Sequence, residues 1–449
     1  MKSANPRRVA FDILHRVEAE RSFADLLLDH ALAKDGLIGP DRGLLTELVY
    51  GVLRRQGTLD HVIDQLASQP VRRLERAVHL LLRLGLYQLL FLDRVPAAAA
   101  VHETVELAKT LAPRAAGFIN AVLRRADRER GVIRYPDRER DLAGYLAAFH
   151  SHPRWLMERW LAQLGPAEAE ALAVAMAEPP PLTLRVNTLR TDRSSLLARL
   201  AAEGIGAEPT RFSPDGFHLP GRGAIAGLDW FREGLATVQD ESSQVAAHLL
   251  APQPGERLLD LCAAPGGKAT HLAQLMGDEG RIVACDRSPR KLRQVVDNAT
   301  RLGIVSLAVM ACDAYRPPRE LVGEGFDRVL VDAPCSGLGV IRRNPEGKWR
   351  LTPVQLTELQ QRQATILGNA AELVRPGGIL LYATCSTAQE EDEVVVEEFL
   401  SRQGGFVVED LRELFPAWEE LFSEQGFFRS WPHRHGGMDG FFAARLRRT

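Results

Sequence analysis

The chain has 449 residues, 45% of them hydrophobic and 25% charged, with a formal net charge of −2; these values exclude a disordered, polybasic or low-complexity protein and predict sizeable buried cores. The length predicts about three domains. Five cysteines (262, 285, 312, 335 and 385) form no CxxC pair, their number is odd and no signal-peptide pattern opens the sequence, so a disulfide scaffold is not expected and a reducing cytoplasm is the expected compartment.

From Asn5 to about Leu142 apolar residues recur at three- and four-residue spacing, as in 8–14, 44–53 and 118–123, which predicts an all-α domain over 1–142. The first 140 residues carry 23 Lys and Arg against 18 Asp and Glu, a formal +5, and the remainder carries −7. A nucleic-acid footprint should therefore lean on this part. Its arginines cluster as Arg7/Arg8, Arg54/Arg55, Arg72/Arg73 and Arg124/Arg125/Arg128/Arg130; each could fork onto a phosphate, while a solvated helix face explains any single pair as well or better. The most apolar stretch, 79–92, is interrupted by Arg83 and falls short of the ~20 residues that span a bilayer. No membrane insertion is expected.

A small α+β module is predicted over 143–235. Helices carrying Trp155 and Trp160 lead to the breaker Pro179, Pro180, Pro181; a strand follows over 182–189 and a helix over 193–203. The module either walls the cleft of the next domain or binds substrate. Arg185 and Asn187 alternate with apolar neighbours, so they face a ligand or simply solvent.

Over 236–449 apolar strands alternate with helices, the pattern of a wound parallel sheet. Strands are expected at 257–262, 281–286, 305–310, 328–333 and 378–384, with helices starting near Ala269, Pro289 and Pro353. Ligands of such sheets bind beyond the carboxyl ends of the strands, where Asp260, Asp286, Asp313, Asp332, Cys335 and Cys385 map. The first loop, Cys262 to Lys268, fails the P-loop spacing at both ends because Cys262 and Ala269 stand where glycine and Ser or Thr are needed. The spacing of a dinucleotide fingerprint is absent too. A nucleoside cofactor without a pyrophosphate remains, and S-adenosylmethionine fits: glycines admit its amino-acid tail, Asp286 bridges ribose hydroxyls and Asp313 sits near adenine, the alternative for each aspartate, Asp313 above all, being a helix cap or turn residue.

Cys262, Cys285 and Cys312 read as small buried side chains. Cys335 and Cys385 each end an apolar run and precede a serine, so their thiols leave the core for a polar rim. A methyltransferase needs a thiolate when the acceptor is carbon: addition of sulfur to C6 of a pyrimidine turns C5 into a nucleophile, and loss of the C5 proton with expulsion of sulfur restores the enzyme. An acidic group near N3, such as Asp332, would stabilise the charge pushed into the ring. Two thiols suit one that adds and one that assists release; the residues alone do not say which is which.

Segments 51–55, 95–109 and 117–125 resemble the helical NusB family, which implies RNA or partner contact by the N-terminal domain. With 151–156, 234–244, the AAPGGK loop at 263–268, 332–339, 384–386 and 439–442, the whole chain resembles the RNA cytosine-5 methyltransferases, in particular the bacterial small-subunit rRNA group of the RsmB (Sun/Fmu) type. The resemblance implies an α/β chain with a NusB-like N-terminal domain, a small α+β middle module and a C-terminal Rossmann-like class I methyltransferase sheet over 236–449. It implies cofactor contacts from Cys262, Ala263, Ala264, Pro265, Gly266, Gly267, Lys268, Asp286, Asp313 and Asp332, with Cys385 as nucleophile and Cys335 in release. It also implies 16S rRNA, free or in an incompletely assembled subunit, as substrate of a monomeric enzyme that needs no metal. Arg342, Arg343, Lys348 and Arg350, just past the thiol loop, are expected on RNA phosphates or in a solvated loop. HisArgHis at 433–435 lacks a third ligand at metal spacing and reads as a rim loop. A non-catalytic RNA-binding factor, a nicotinamide oxidoreductase and a tRNA or large-subunit target are the competing readings.

Overall fold

The computed structural model describes residues 5–34, 36–221, 225–318, 321, 323 and 325–449. They form two compact units: Met1–Pro179 with Ile341–Arg350, and Pro180–Val340 with Leu351–Thr449. The units divide the chain differently from the expected limits. The helices of the expected middle module, up to residue 179, fall in the first unit and its strands in the second.

The first unit is helical. Its opening helix, Pro6–Ala19, starts on proline at N1 and is capped by Asn5, whose side chain accepts from the Arg7 amide at 2.9 Å. Helix Arg76–Phe91 is apolar nearly all round and therefore central, packing against helices Pro6–Ala19, Pro40–Arg54, Gln56–Leu66, Ala97–Leu111 and Ala116–Arg128. Its interrupting charge, Arg83, is buried and satisfied by Asp60 at 2.6 Å and by Glu18. Where helix Pro40–Arg54 meets helix Arg76–Phe91 a side chain is missing: a Cβ on Gly51 would lie 2.0 Å from the Tyr87 ring.

The arginine clusters separate by burial. Arg54 belongs to the interior, and Arg7 donates to Gln88 at 2.7 Å. Arg72, Arg73, Arg124, Arg125, Arg128 and Arg130 are exposed. The segment after the thiol loop corrects the expectation of phosphate contacts there. Lys348 is buried, its ammonium donating to the carbonyls of Arg54 (3.2 Å) and Ser151 (2.5 Å), and burial drives its pKa well below the usual value. Arg350 donates to the carbonyls of Val17 and Ser22, both at 2.7 Å, and Arg342 is buried. Lys348 and Arg350 thereby tie the segment into the helical unit through carbonyls at or just beyond helix ends.

The second unit holds two sheets. The strands, in chain order, are β1 Thr183–Val186, β2 Glu208–Pro209, β3 Gly216–His218, β4 Ala236–Val238, β5 Arg257–Asp260, β6 Arg281–Asp286, β7 Leu307–Ala311, β8 Phe326–Asp332, β9 Val374–Thr384, β10 Phe406–Val408, β11 Phe428–Ser430 and β12 Phe441–Arg448. The small antiparallel sheet has the order β2-β3-β1-β4, and the large one β10-β12-β9-β8-β5-β6-β7, with β11 beside β12. Strands β5 to β9 run parallel and β12 antiparallel to β9. The chain winds from β5 to β6 and β7 on one side, then returns to β8 and β9 on the other. The order reverses between β5 and β8, where a wound sheet opens a crevice.

Arg185 and Asn187, read from sequence as facing ligand or solvent, are fully buried. Arg185 donates to the Gly267 carbonyl (2.7 Å), Gln274 (2.9 Å) and Thr270 (3.2 Å), and Asn187 to the carbonyls of Gly234 and Leu302 at 2.8 Å. Burial lowers the Arg185 pKa to about 9. The small sheet is thus bonded to the first turn of helix Gly267–Leu275, which follows the loop after β5.

Candidate active site

Strand β5 ends at Asp260, and the chain turns through 261–266 into helix Gly267–Leu275. Gly266 takes φ +103°, and a Cβ there would press on Val295 at 3.1 Å, so glycine answers both a left-handed backbone and close helix packing. Beside the loop lies a cavity of ≈ 530 Å³ lined by Cys262 and Ala264, by Asp286 at the end of β6, by Asp313 beyond β7 and by Asp332 at the end of β8. Arg287, Lys291 and Arg362 add positive charge to its wall. Its volume suits a nucleoside-sized ligand.

The remaining loop residues lie outside that lining. Ala263 packs with Ala269, Leu292 and Val295. Lys268 is partly buried, with its ammonium 2.7 Å from the Asp332 carboxylate and 4.9 Å over the Phe441 ring. Burial works against the Lys268 charge, but Asp332 outweighs it, and the lysine pKa is raised. Asp260 sits beneath the loop with one carboxyl oxygen lacking any partner. Burial first, and the Asp332 charge next, push its pKa up to about 8.

The two thiols leave neighbouring parallel strands, β8 and β9, in which Asp332 pairs with Ala383. Cys335 follows β8 by three residues and Cys385 follows β9 directly; their sulfurs are 3.2 Å apart. Both are partly accessible, in contrast to buried Cys285 and Cys312. Contact with Cys385, burial and the charge of Glu391 together push the Cys335 thiol well up. The loops carrying them meet as bare backbone: the Gly339 amide donates to the Cys385 carbonyl and the Gly440 amide to the Gly339 carbonyl, each at 3.0 Å. A Cβ on Gly339 would fall 1.9 Å from the Gly440 oxygen, which is why glycines occupy both segments.

Three side chains of this region escaped sequence reasoning in their real roles. Glu391 is fully buried beneath the thiol loops, Arg185 holds the helix after the first loop, and Asp215 accepts from His248 (2.9 Å) and His271 (3.2 Å). Asp215, His248 and His271 form the metal-type cluster found among the described residues. Burial opposes the Asp215 charge, yet the two histidines hold its carboxyl below the usual range; the arrangement is a hydrogen-bonded trio. At 433–435, His435 is buried and accepts from the Trp431 amide at 3.0 Å, so it shapes its turn.

Residues 247–447 match the 16S rRNA methyltransferase RsmB/F family, residues 4–128 the NusB family and residues 152–226 the ferredoxin-like domain of RsmF/B-like methyltransferases. The probable ribosomal RNA small subunit methyltransferase B of Synechocystis sp. is 40% identical, with 99% of each chain covered, and that of Bacillus subtilis is 38% identical over 100% of both. The chain belongs to the ribosomal RNA small subunit methyltransferase B family. Two solved structures agree with this membership. PH0851 covers 99% of both chains at 29% identity with a TM-score of 0.81. A methyltransferase homolog from Pyrococcus horikoshii is 31% identical, covers 68% of this chain and 98% of its own, and has a TM-score of 0.59. The expected NusB-like N-terminus, small middle module and Rossmann-like sheet are thus all present in this family member.

Proposed function

We propose that the chain transfers a methyl group from S-adenosylmethionine to C5 of a cytosine in 16S rRNA through a covalent adduct between Cys385 and C6. The observation that carries this reading is the pair of accessible thiols 3.2 Å apart at the ends of adjacent strands, because methylation of oxygen or nitrogen would need neither.

The cavity beyond β5, β6 and β8 suits the cofactor: Asp286 would meet the ribose hydroxyls, Asp313 the adenine edge, and Cys262 and Ala264 of the first loop the amino-acid tail. When bound, the cofactor supplies an electrophilic methyl carbon. The Cys385 sulfur forms a bond to C6, and the ring electrons move toward N3. The proton given up by the Cys385 thiol balances the one gained at N3, and Asp332, fixed by Lys268, accepts a hydrogen bond from that N3–H and so stabilises the charge pushed into the ring. After methylation the C5 proton passes to water, its bonding electrons restore the C5–C6 double bond, the C6–S electrons return to Cys385 as a thiolate, and the N3 proton is given back to that sulfur. The family resemblance gives the adding role to Cys385 and the release role to Cys335, whose sulfurs lie side by side. The target base must leave its stack to reach the thiols, which favours a single-stranded or loop cytosine in naked 16S rRNA or an unfinished subunit.

Incubation of the protein with radiolabelled S-adenosylmethionine and unmodified 16S rRNA, followed by nucleoside analysis, should yield labelled 5-methylcytidine. Cys385→Ala should abolish the label while binding the cofactor as before. Label in another nucleoside, or undiminished turnover by Cys385→Ala, would contradict the reading.

A further inference from the structure

Two serines immediately follow the two cysteines, and both reach one carboxylate. Glu391 has no exposed surface. It accepts the Ser336 amide at 2.8 Å, the Ser336 hydroxyl, the Ser386 hydroxyl and the Gln363 amide group at 3.0 Å. The serine hydroxyls lie 3.2 Å from each other, in parallel with the sulfurs of the preceding residues. The turn that offers Glu391 is itself fixed: Tyr382 of β9 donates to the Glu391 carbonyl at 2.5 Å, and neighbouring Asp392 accepts from Thr384 and pairs with Arg429 at 2.8 Å. Neither Lys nor Arg is paired with Glu391 among the described residues; its charge is answered by hydroxyl and amide donors of the two thiol loops and of helix Pro353–Glu372. A buried carboxylate with only such donors is stable only while all of them stay in place.

From this we infer that Glu391 is the positioning residue of the thiol pair, a clamp that draws the loop after β8 and the loop after β9 together so that Cys335 and Cys385 address the same atom pair of the substrate. The inference rests on the two-thiol reading above and names the group that sets its geometry. The clamp works through shape: a glutamine at 391 keeps an acceptor for the Ser336 amide and Gln363, and its amide group donates to hydroxyls that turn to accept. An alanine removes every bond. The loops then lose their common anchor although both strands remain.

The test uses the full chain and two readouts. Diamide oxidation, followed by mass spectrometry of the Cys335–Cys385 linked peptide, measures thiol apposition without any substrate; methyl transfer to 16S rRNA gives kcat and KM. Glu391→Ala should slow linkage and lower kcat by on the order of 10²-fold, as expected when reacting groups are misplaced by about an ångström, with cofactor affinity unchanged, whereas Glu391→Gln should stay close to wild type in both. Linkage at the wild-type rate in folded Glu391→Ala would overturn the clamp. So would equal losses in Glu391→Gln and Glu391→Ala, because they would assign the effect to charge. Should Glu391→Ala fail to fold, the Ser336→Ala, Ser386→Ala pair tests the same bonds and is expected to slow linkage likewise. A wild type that forms the linked peptide readily yet methylates no cytosine would overturn the proposed function alone.

Discussion

At the scale of single residues, the chemistry-bearing types were legible and their surroundings were not. Asp286, Asp313 and Asp332 could be placed because strand ends in a wound sheet converge on one edge, and all three line the same cavity. Lys348 shows the limit: its charge is visible in the sequence, but the Ser151 carbonyl it meets is 197 residues away, and no local pattern reveals that. Glu391 escaped for the same reason, since its partner Ser336 is 55 residues upstream. Asp260 gives a residue-scale prediction. Its carboxyl stays protonated in the folded chain up to about pH 8, whereas in the unfolded chain it ionises near pH 4. Between these values the folded state binds the extra proton, so stability falls as pH rises, by at most about 1.4 kcal/mol per pH unit for this group. Asp260→Asn should therefore flatten the decline of unfolding free energy from about pH 4 to about pH 8. Chemical denaturation across that range checks it, and an unchanged slope would refute the buried neutral acid.

At the scale of elements, periodicity and breakers located the strands and helices of the catalytic sheet, and some of their boundaries to the residue. The strand expected at 281–286 and the helices starting at Pro289 and Pro353 stand where the residues predict, since apolar runs and N1 prolines are local signals. Strand β1 is shorter than the expected 182–189 because Asn187 turns its side chain to the carbonyls of Gly234 and Leu302 instead of extending the ladder. Alternation alone cannot distinguish a polar residue facing water from one bonded to a neighbouring element, which is why Arg185 was misread. Glycine positions carry the clearest packing consequence. Gly51→Ala forces a methyl group into the Tyr87 ring, and overpacking of this kind costs about 1–3 kcal/mol. The expected outcome is a Tm lowered by several degrees without loss of cofactor binding, measured by calorimetry with and without S-adenosylmethionine.

At the scale of the whole molecule, composition predicted several domains and the family resemblance their kinds, but not their grouping. Segment Ile341–Arg350 interrupts the methyltransferase part of the sequence and belongs to the helical unit; the carbonyls that receive Lys348, Trp349 and Arg350 are supplied by residues before 152. Such a crossing leaves no mark on hydropathy. Among the described residues no helix is long and apolar enough to cross a membrane, as the interruption by Arg83 suggests. The order of the two thiols, open on sequence pattern alone, is the part of the proposal that rests on the family resemblance. The most direct measurement of that order is covalent trapping: Cys335→Ala protein, S-adenosylmethionine and unmodified 16S rRNA resolved on a denaturing gel. A protein band retarded by bound RNA, absent from the Cys335→Ala, Cys385→Ala double variant, is the predicted result; a retarded band that survives loss of Cys385, or none with any RNA, would contradict the two-thiol account.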